Sequence, residues 1–389
     1  MKRMLCSMIA ALALITAVRA TGFSPENAAH AAILVHMDTG SVLYEKRADE
    51  RMRIASTTKI MTALVVLENC DPEERVTVTQ AHCSVEGSSA YLRPGETYSV
   101  ETLLYGLLLA SGNDAALALS EHVCGSVEGF VTLMNDCAAE IGLQNTHFSN
   151  PHGLDAEDHY STAADLARLT CVAMKNEVFA QIVSTDEAVC GDRAYINHNR
   201  LLRRYDGCIG VKTGYTRAAG RCLVTCAERD GLRLVCVTLS DPQDWADHSA
   251  LYDWGFAGWQ YRRLFPDGIA AELPVIAGEA ETVRICAAEE AAILSPREAE
   301  LRLEWDLPAF VYADVAEGKR AGTLSVFENG KEIFRTELVF AESVARAKNA
   351  RLTALERIRR GMELSARYGG LYQYGILYAP HSSGEGESA

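Results

Sequence analysis

Apolar positions along this chain change period several times, and each change marks an element. Ile33-Leu34-Val35-His36-Met37-Asp38, then Thr39-Gly40-Ser41, then Val42-Leu43-Tyr44 reads as strand, turn and strand. Residues 54–69 are mostly apolar on every side and predict a buried helix. Residues 103–110 predict a second buried helix. Residues 113–123 predict a third, with Asn113 suited to the N-cap. Thr162 and Asp165 make a capping-box-like start for a helix over 163–174. Two strands follow, over 220–228 and 232–240, joined at Asp230-Gly231. Helices in the middle are thus flanked by strands from both ends of one region. That order predicts an α+β plan, an antiparallel sheet with helices packed against it.

The pattern shifts around Pro266-Asp267-Gly268. From 270 to 344 the runs are short and β-like, as in Thr282-Val283-Arg284-Ile285-Cys286, and Glu328-Asn329-Gly330-Lys331 is a hairpin signal. A small second domain of strands is expected there. Residues 344–367 turn helical again, with seven basic residues against two acidic ones. Val344, Leu352, Leu355, Ile358 and Met362 fall near one face, which Lys348, Arg351 and Arg359 interrupt. This reads either as a helix lying on an anionic membrane surface or as an ordinary solvated helix packed on its domain, with the charge slightly favouring the membrane. From Tyr368 onward the composition predicts disorder. The expected division is a signal peptide over 1–20, a catalytic domain over 21–262, a small β-rich domain over 263–343, and a basic amphipathic helix with a tail over 344–389.

Composition narrows the function. The 389 residues carry a formal net charge of −15, which argues against a nucleic-acid partner. Lys2 and Arg3, the apolar run 4–18 and Val18-Arg19-Ala20 read as a cleaved export signal, with an uncleaved anchor or a buried first helix as the alternatives. The protein is therefore expected outside the cytoplasm, at the outer face of the membrane or in the wall. Twelve cysteines are many for such a protein, and eleven remain once Cys6 leaves with the signal. No C-x-x-C occurs, so neither a zinc nor a redox site is expected. Asp230-Gly231 as a two-residue turn places Cys236 opposite Thr225 rather than another cysteine. Most of the cysteines are read as small buried hydrophobes.

Three motifs carry chemistry: Ser56-Thr57-Thr58-Lys59, Ser111-Gly112-Asn113 and Lys212-Thr213-Gly214. Alone, each has a bland reading as a helix start or a turn. In this order they supply an activated serine, a proton relay and a carboxylate-binding strand. Ser56 and Lys59 are three apart, on one helix face. A neutral Lys59 could take the Ser56 proton, and burial, the helix start and Lys212 as a second cation would lower its pKa. Ser111 can pass a proton to a leaving nitrogen, and Asn113 can hold a substrate amide. Asp114 is as readily helix-start charge as chemistry. Gly214 would let a peptide lie against its strand. Strict alternation puts Lys212 and Thr213 on opposite faces, so both serve one cleft only where the strand borders it or twists.

With Asn150-Pro151-His152-Gly153-Leu154-Asp155, Asn197-His198-Asn199-Arg200-Leu201-Leu202 and Gly210-Val211-Lys212-Thr213-Gly214-Tyr215-Thr216, the chain resembles the low-molecular-mass penicillin-binding proteins, specifically the D-alanyl-D-alanine carboxypeptidases. The likeness is strong over about 31–259. It implies a penicillin-binding, β-lactamase-like transpeptidase domain followed by a small all-β domain and an amphipathic helix. It implies Ser56 as acylated nucleophile, Lys59 as general base and Ser111 as relay. Asn113, Lys212, Thr213, Gly214 and Tyr215 would bind substrate, and the backbone N–H groups of Ser56 and Tyr215 would form the oxyanion hole. The implied substrate is a peptidoglycan stem peptide ending in D-Ala-D-Ala, with penicillins acylating the same serine and no cofactor or metal.

A serine β-lactamase is the nearest rival, but no E-x-x-x-N lies between the second and third motifs, and Gly112 replaces the expected Asp. His147, His152, His159 and His198 lack zinc-peptidase spacing and read as surface or core histidines. A non-catalytic wall-binding protein would have no use for Ser56, Lys59 and Lys212 together.

Overall fold

The computed structural model describes residues 24–348, 353–368 and 375–376. The expected signal over 1–20, and most of the tail expected to be disordered, lie outside the described residues. The chain divides into two compact units between Ala257 and Gly258.

The first unit is built on a five-stranded antiparallel sheet. Its strands are β1 (Ala31–His36), β2 (Val42–Lys46), β3 (Cys208–Thr216), β4 (Gly220–Arg229) and β5 (Leu232–Leu239), in the order β2-β1-β5-β4-β3. The first and last parts of the unit thus meet at its centre, where β1 pairs with β5. Asp230 and Gly231 both take positive φ, 51° and 75°, as the tight turn joining β4 to β5 requires. That turn sets the register in which Thr225 faces Cys236, as expected.

Both sheet faces are covered, so these strands are apolar almost throughout. Ile33, Val35, Val224, Cys226, Val235 and Val237 join the core that also holds the helices α1 (Lys59–Asn69), α2 (Val100–Leu108), α3 (Asn113–Cys124), α4 (Val127–Ile141) and α5 (Ala163–Ala173). The opposite face meets α6 (Asp244–Gly258), where His248 sits between Thr225 and Thr238 at 2.6 and 3.0 Å. Burial of that ring lowers its pKa to about 3, so it stays neutral.

Several local expectations change. The segment 54–69 does not begin as α-helix. Ala55–Thr58 forms a 3-10 turn, and α1 follows from Lys59. Asn113 is not an N-cap: Gly112 holds that position, and the Asn113 side chain is turned to other bonds. Thr162 caps α5 by accepting from Asp165 N, but the Asp165 carboxylate accepts from Asn145 N and Thr146 Oγ1 instead of completing a capping box.

The second unit holds a seven-stranded sheet. Its longest hairpin, β6 (Arg320–Glu328) with β7 (Lys331–Phe340), turns at Asn329-Gly330 as expected. The helix expected from 344 starts ten residues later, as α7 (Ala354–Tyr368). Val344 is buried and bridges to Val315. A full capping box explains the later start: Glu356 N donates to Thr353 Oγ1, and the Glu356 carboxylate accepts from Thr353 N.

All eleven described cysteines are unbridged. Four are buried, six half-buried and one, Cys124, exposed, so the expectation that most are buried holds for a minority. Burial pushes the Cys137 and Cys222 thiols up to about 12, and those of Cys226 and Cys236 well above their ordinary 9.0. A pKa raised by folding gives stability that is complete below the unfolded value and is lost as pH rises through the folded one. The unfolding free energy should therefore fall above pH ~9, by roughly 1.4 kcal/mol per pH unit for each such thiol. Denaturant titrations of the wild type and of a Cys222→Ala, Cys236→Ala variant from pH 8 to about 11 test this. The variant should lose stability less steeply, and equal slopes would contradict the account.

Candidate active site

Four segments converge at one end of the first unit. The 3-10 turn carrying Ser56 enters α1, and β3 runs beside it. The backbones approach so closely that a Cβ on Gly214 would lie 3.0 Å from Ser56 N and 3.1 Å from Ile54 O. The missing side chain thus makes room for the serine turn itself, whatever a substrate does. The segments before α3 and around Asn150 close the other sides.

Lys59 is fully buried, and its Nζ has three neighbours: Ser56 Oγ at 3.0 Å, Asn113 Oδ1 at 2.7 Å and the His152 carbonyl at 2.7 Å. The Asn113 amide is oriented by its far side, because Nδ2 donates to Glu86 O at 2.7 Å. Asn113 Oδ1 and His152 O can only accept. A neutral amine has two N–H bonds and one lone pair. The two acceptors use both N–H bonds, so the lone pair is left for Ser56, whose hydroxyl donates to it. Burial first, and then the Lys212 charge, hold Lys59 well below the ordinary lysine value, while Asp114 opposes this. The sequence named burial, Lys212 and the helix start as causes. The first two act in this order, and the helix start is a 3-10 turn.

Lys212 and Thr213 do turn to different sides. Lys212 is 1% exposed, and its Nζ donates to the Thr213 carbonyl at 2.9 Å. Burial alone lowers it to about 7. Thr213, with Ser56, Ser111, Gly214, Tyr215 and Arg200, lines a cavity of about 310 Å³. Strand alternation is therefore kept: Thr213 faces the cavity, and Lys212 lies within the wall. A larger cavity of about 410 Å³ in the second unit, between Arg263 and Ala291, is lined by no serine, threonine, cysteine or lysine.

Sequence reasoning missed the supports. Asp114 is structural: its carboxylate accepts from Ser89 Oγ, Ala90 N and Leu92 N, which fixes the loop that brings Glu86 O to Asn113. His159 is a core histidine with a specific task. Ser149 N donates to its Nδ1, so the ring proton is on Nε2, 2.8 Å from Thr58 Oγ1. Thr58 in turn donates to the Ala55 carbonyl. Burial lowers His159 to about 4, which keeps this tautomer neutral. Ala55 and Ser111 hold positive φ, 48° and 60°, unusual for residues with a Cβ, and both adjoin the chemistry. Asn150 Oδ1 accepts from Gly153 N at 2.7 Å and shapes the turn that delivers the His152 carbonyl. The Asn150-Pro151-His152-Gly153 run was visible in the sequence, but nothing in it announces that a backbone oxygen is the working group. His198 also lines the cavity.

A hydroxyl bonded to a buried, deprotonatable amine, beside a cleft edged by an antiparallel strand, defines a serine acyl-transfer enzyme. The D-alanyl-D-alanine carboxypeptidase profile matches residues 18–243. D-alanyl-D-alanine carboxypeptidase DacF of Bacillus subtilis is 32% identical over 89% of this chain and 96% of its own length. DacC of Escherichia coli is 33% identical over 82% of this chain and 85% of its own. The crystal structure of penicillin binding protein 5 from Haemophilus influenzae superposes with a TM-score of 0.68 at 28% identity, covering 84% of this chain and all of that one. The chain belongs to the D-alanyl-D-alanine carboxypeptidase family.

Asn113→Asp tests the hydrogen-bond assignment. A carboxylate at 2.7 Å from Nζ would favour the charged lysine. The acid limb of the acylation rate should move up by about 1–3 pH units. An unmoved limb would contradict the role given to Asn113.

Proposed function

We propose that this chain is a serine-type D-Ala-D-Ala carboxypeptidase that trims the terminal D-Ala from peptidoglycan stem peptides through an acyl-enzyme on Ser56. The observation that carries the reading is the 3.0 Å contact between Ser56 Oγ and a Lys59 amine whose other two neighbours can only accept. Lys59 takes the Ser56 proton as Oγ attacks the carbonyl of the penultimate residue. The new C–O bond forms as the peptide C–N bond breaks. The proton reaches the leaving D-Ala amine through Ser111, and water later releases the shortened peptide and restores Ser56.

The oxyanion would sit between the backbone N–H groups of Ser56 and Tyr215, which the close approach at Gly214 makes neighbours. Asn113, Thr213, Gly214 and Tyr215 would hold the substrate, with Lys212 adding positive potential from behind Thr213. Penicillins would acylate the same serine. Residues 21–262 would hold this chemistry, and the segment over 1–20 would direct export to the outer face of the membrane or to the wall.

Incubating the purified protein with penicillin and with a D-Ala-D-Ala peptide tests this, read by intact mass and free D-Ala. A long-lived adduct on Ser56 and D-Ala release should appear, and both should vanish in Ser56→Ala. Lys59→Arg, which keeps the charge but cannot lose its proton, should slow acylation by roughly 10²–10⁴-fold. Rapid penicillin turnover without accumulation would instead indicate a β-lactamase, and no adduct would indicate a binding protein.

The membrane reading also finds support. Leu355, Ile358 and Met362, spaced for one face of α7, are 81%, 59% and 62% exposed, with Arg357, Arg359 and Arg360 between them. No described helix is long and apolar enough to cross a membrane. Surface docking fits: each apolar side chain contributes up to about 1.5–3 kcal/mol and each basic residue about 1 kcal/mol, which suffices for reversible binding. Full-length protein should pellet with anionic vesicles, and Leu355→Ser, Ile358→Ser, Met362→Ser should abolish this. Equal pelleting of both proteins would sink the idea.

A further inference from the structure

The described residues hold a second cluster of reactive side chains, at the opposite ends of the two helices that serve the active site. Helix α1 starts at Lys59 and ends at Asn69, with Cys70 as its C-cap. Helix α3 starts at Asn113, and His122 lies in its last turn. Between them, in the segment leading from α1 to the short strand Arg75–Thr77, stands Glu74. One ligand atom each from Cys70, Glu74 and His122 lies within 4.8 Å of the other two.

We propose that these three residues form a zinc site that clasps the far ends of α1 and α3. The donors are one sulfur, one imidazole nitrogen and one carboxylate oxygen, the set that tetrahedral zinc accepts. Zinc bonds of about 2.0–2.3 Å would hold such donors roughly 3.3–3.8 Å apart. Donors that now lie up to 4.8 Å apart therefore need to draw in by roughly 1.5 Å at most, while the 3.0 Å His122–Glu74 pair opens slightly, both within reach of side-chain rotation.

His122 Nε2 and Glu74 Oε2 already face each other at 3.0 Å. Glu74 is held in place independently of any metal. Its Oε1 accepts from Asp71 N at 2.8 Å, its N–H donates to Asp71 O, and its carbonyl accepts from Val100 N. Cys70 is anchored as well, since its N–H donates to Val66 O at 2.9 Å. Glu74 and His122 are exposed while Cys70 is half-buried, which leaves an entry path and a fourth position for water. Binding forms the Zn–S bond as the Cys70 thiol proton leaves to solvent; nothing is oxidised or reduced.

The consequence concerns the active site indirectly. Lys59 and Asn113, bonded at 2.7 Å, open the same two helices that the metal would tie at their other ends. Ligand spacing does not betray the site in the sequence, because Cys70 and Glu74 are separated from His122 by about fifty residues and by α2. That is why the absence of C-x-x-C was not a sufficient argument against zinc.

The test uses the full chain without a histidine tag, purified under reducing conditions and stripped with EDTA. Zinc is titrated in competition with a chromophoric chelator. Cobalt(II) is titrated separately, to look for a thiolate-to-metal charge-transfer band. One equivalent should bind, and the band should appear in the wild type and disappear in Cys70→Ser. Binding should weaken by more than about tenfold in His122→Ala. Both variants should still be acylated by penicillin, which certifies their fold. Absence of the band in the wild type, or binding unchanged in both variants, would overturn the proposal.

Discussion

A lysine ammonium buried away from water holds its proton less tightly, and the first unit is organised around that constraint. Lys59 and Lys212 are both essentially inaccessible to water, and neither has an acidic partner within bonding distance among the described contacts. Burial therefore lowers both. For Lys212, a fall from 10.5 to about 7 corresponds to roughly 4–5 kcal/mol of destabilisation. That cost is present in full below pH ~7 and is relieved as the pH rises toward the unfolded value. The densely packed sheet and five helices have to offset it. What the site would gain is an amine, Lys59, held well below the ordinary lysine value and so able to take a proton from Ser56.

The surrounding hydrogen bonds would direct that amine's lone pair toward Ser56. Asn113 Oδ1 and the His152 carbonyl would serve a charged lysine equally well, so they do not by themselves deprotonate it. They decide where the lone pair points once the proton is gone. Each is held from behind, Asn113 by Glu86 O and the His152 turn by Asn150. The serine side is held by the relay from Ser149 through His159 and Thr58 to the carbonyl of Ala55, a residue kept at positive φ. Strain at Ala55 is tolerated because these bonds over-determine its backbone, and beside Ser111 Gly112 N donates to Gly106 O and Asn113 N to Ser88 O.

Elements with a strong period or a tight turn were legible in the sequence. The β1–β2 hairpin, the Asp230-Gly231 turn with its register, and the Asn329-Gly330 hairpin follow from turn chemistry alone. The Ser56–Lys59 contact was legible too, because its three-residue spacing is local. What stayed hidden depends on long-range placement. The His152 carbonyl is a backbone atom with no side-chain signature. His159 reads as a core histidine until Thr58 is brought to it from about a hundred residues away. Asn113 looked like a cap because its side chain suits one, but Lys59 and Glu86 O compete for it and win. Val344 fitted the stripe of the last helix, yet Val315 takes it into a β-bridge, and the Thr353–Glu356 box sets the true start. In each case tertiary bonds overrode a local preference that was itself sound.

Everything at this site turns on Lys59 being neutral when Ser56 reacts. Lysine side-chain nitrogen NMR on the ¹⁵N-lysine-labelled enzyme, with Lys59→Arg used to assign the resonance, reads this directly. Lys59 Nζ should titrate well below the ordinary lysine value of 10.5, and penicillin acylation should rise with the same midpoint. A Lys59 that stays protonated through pH ~9 while acylation proceeds at full rate would contradict it.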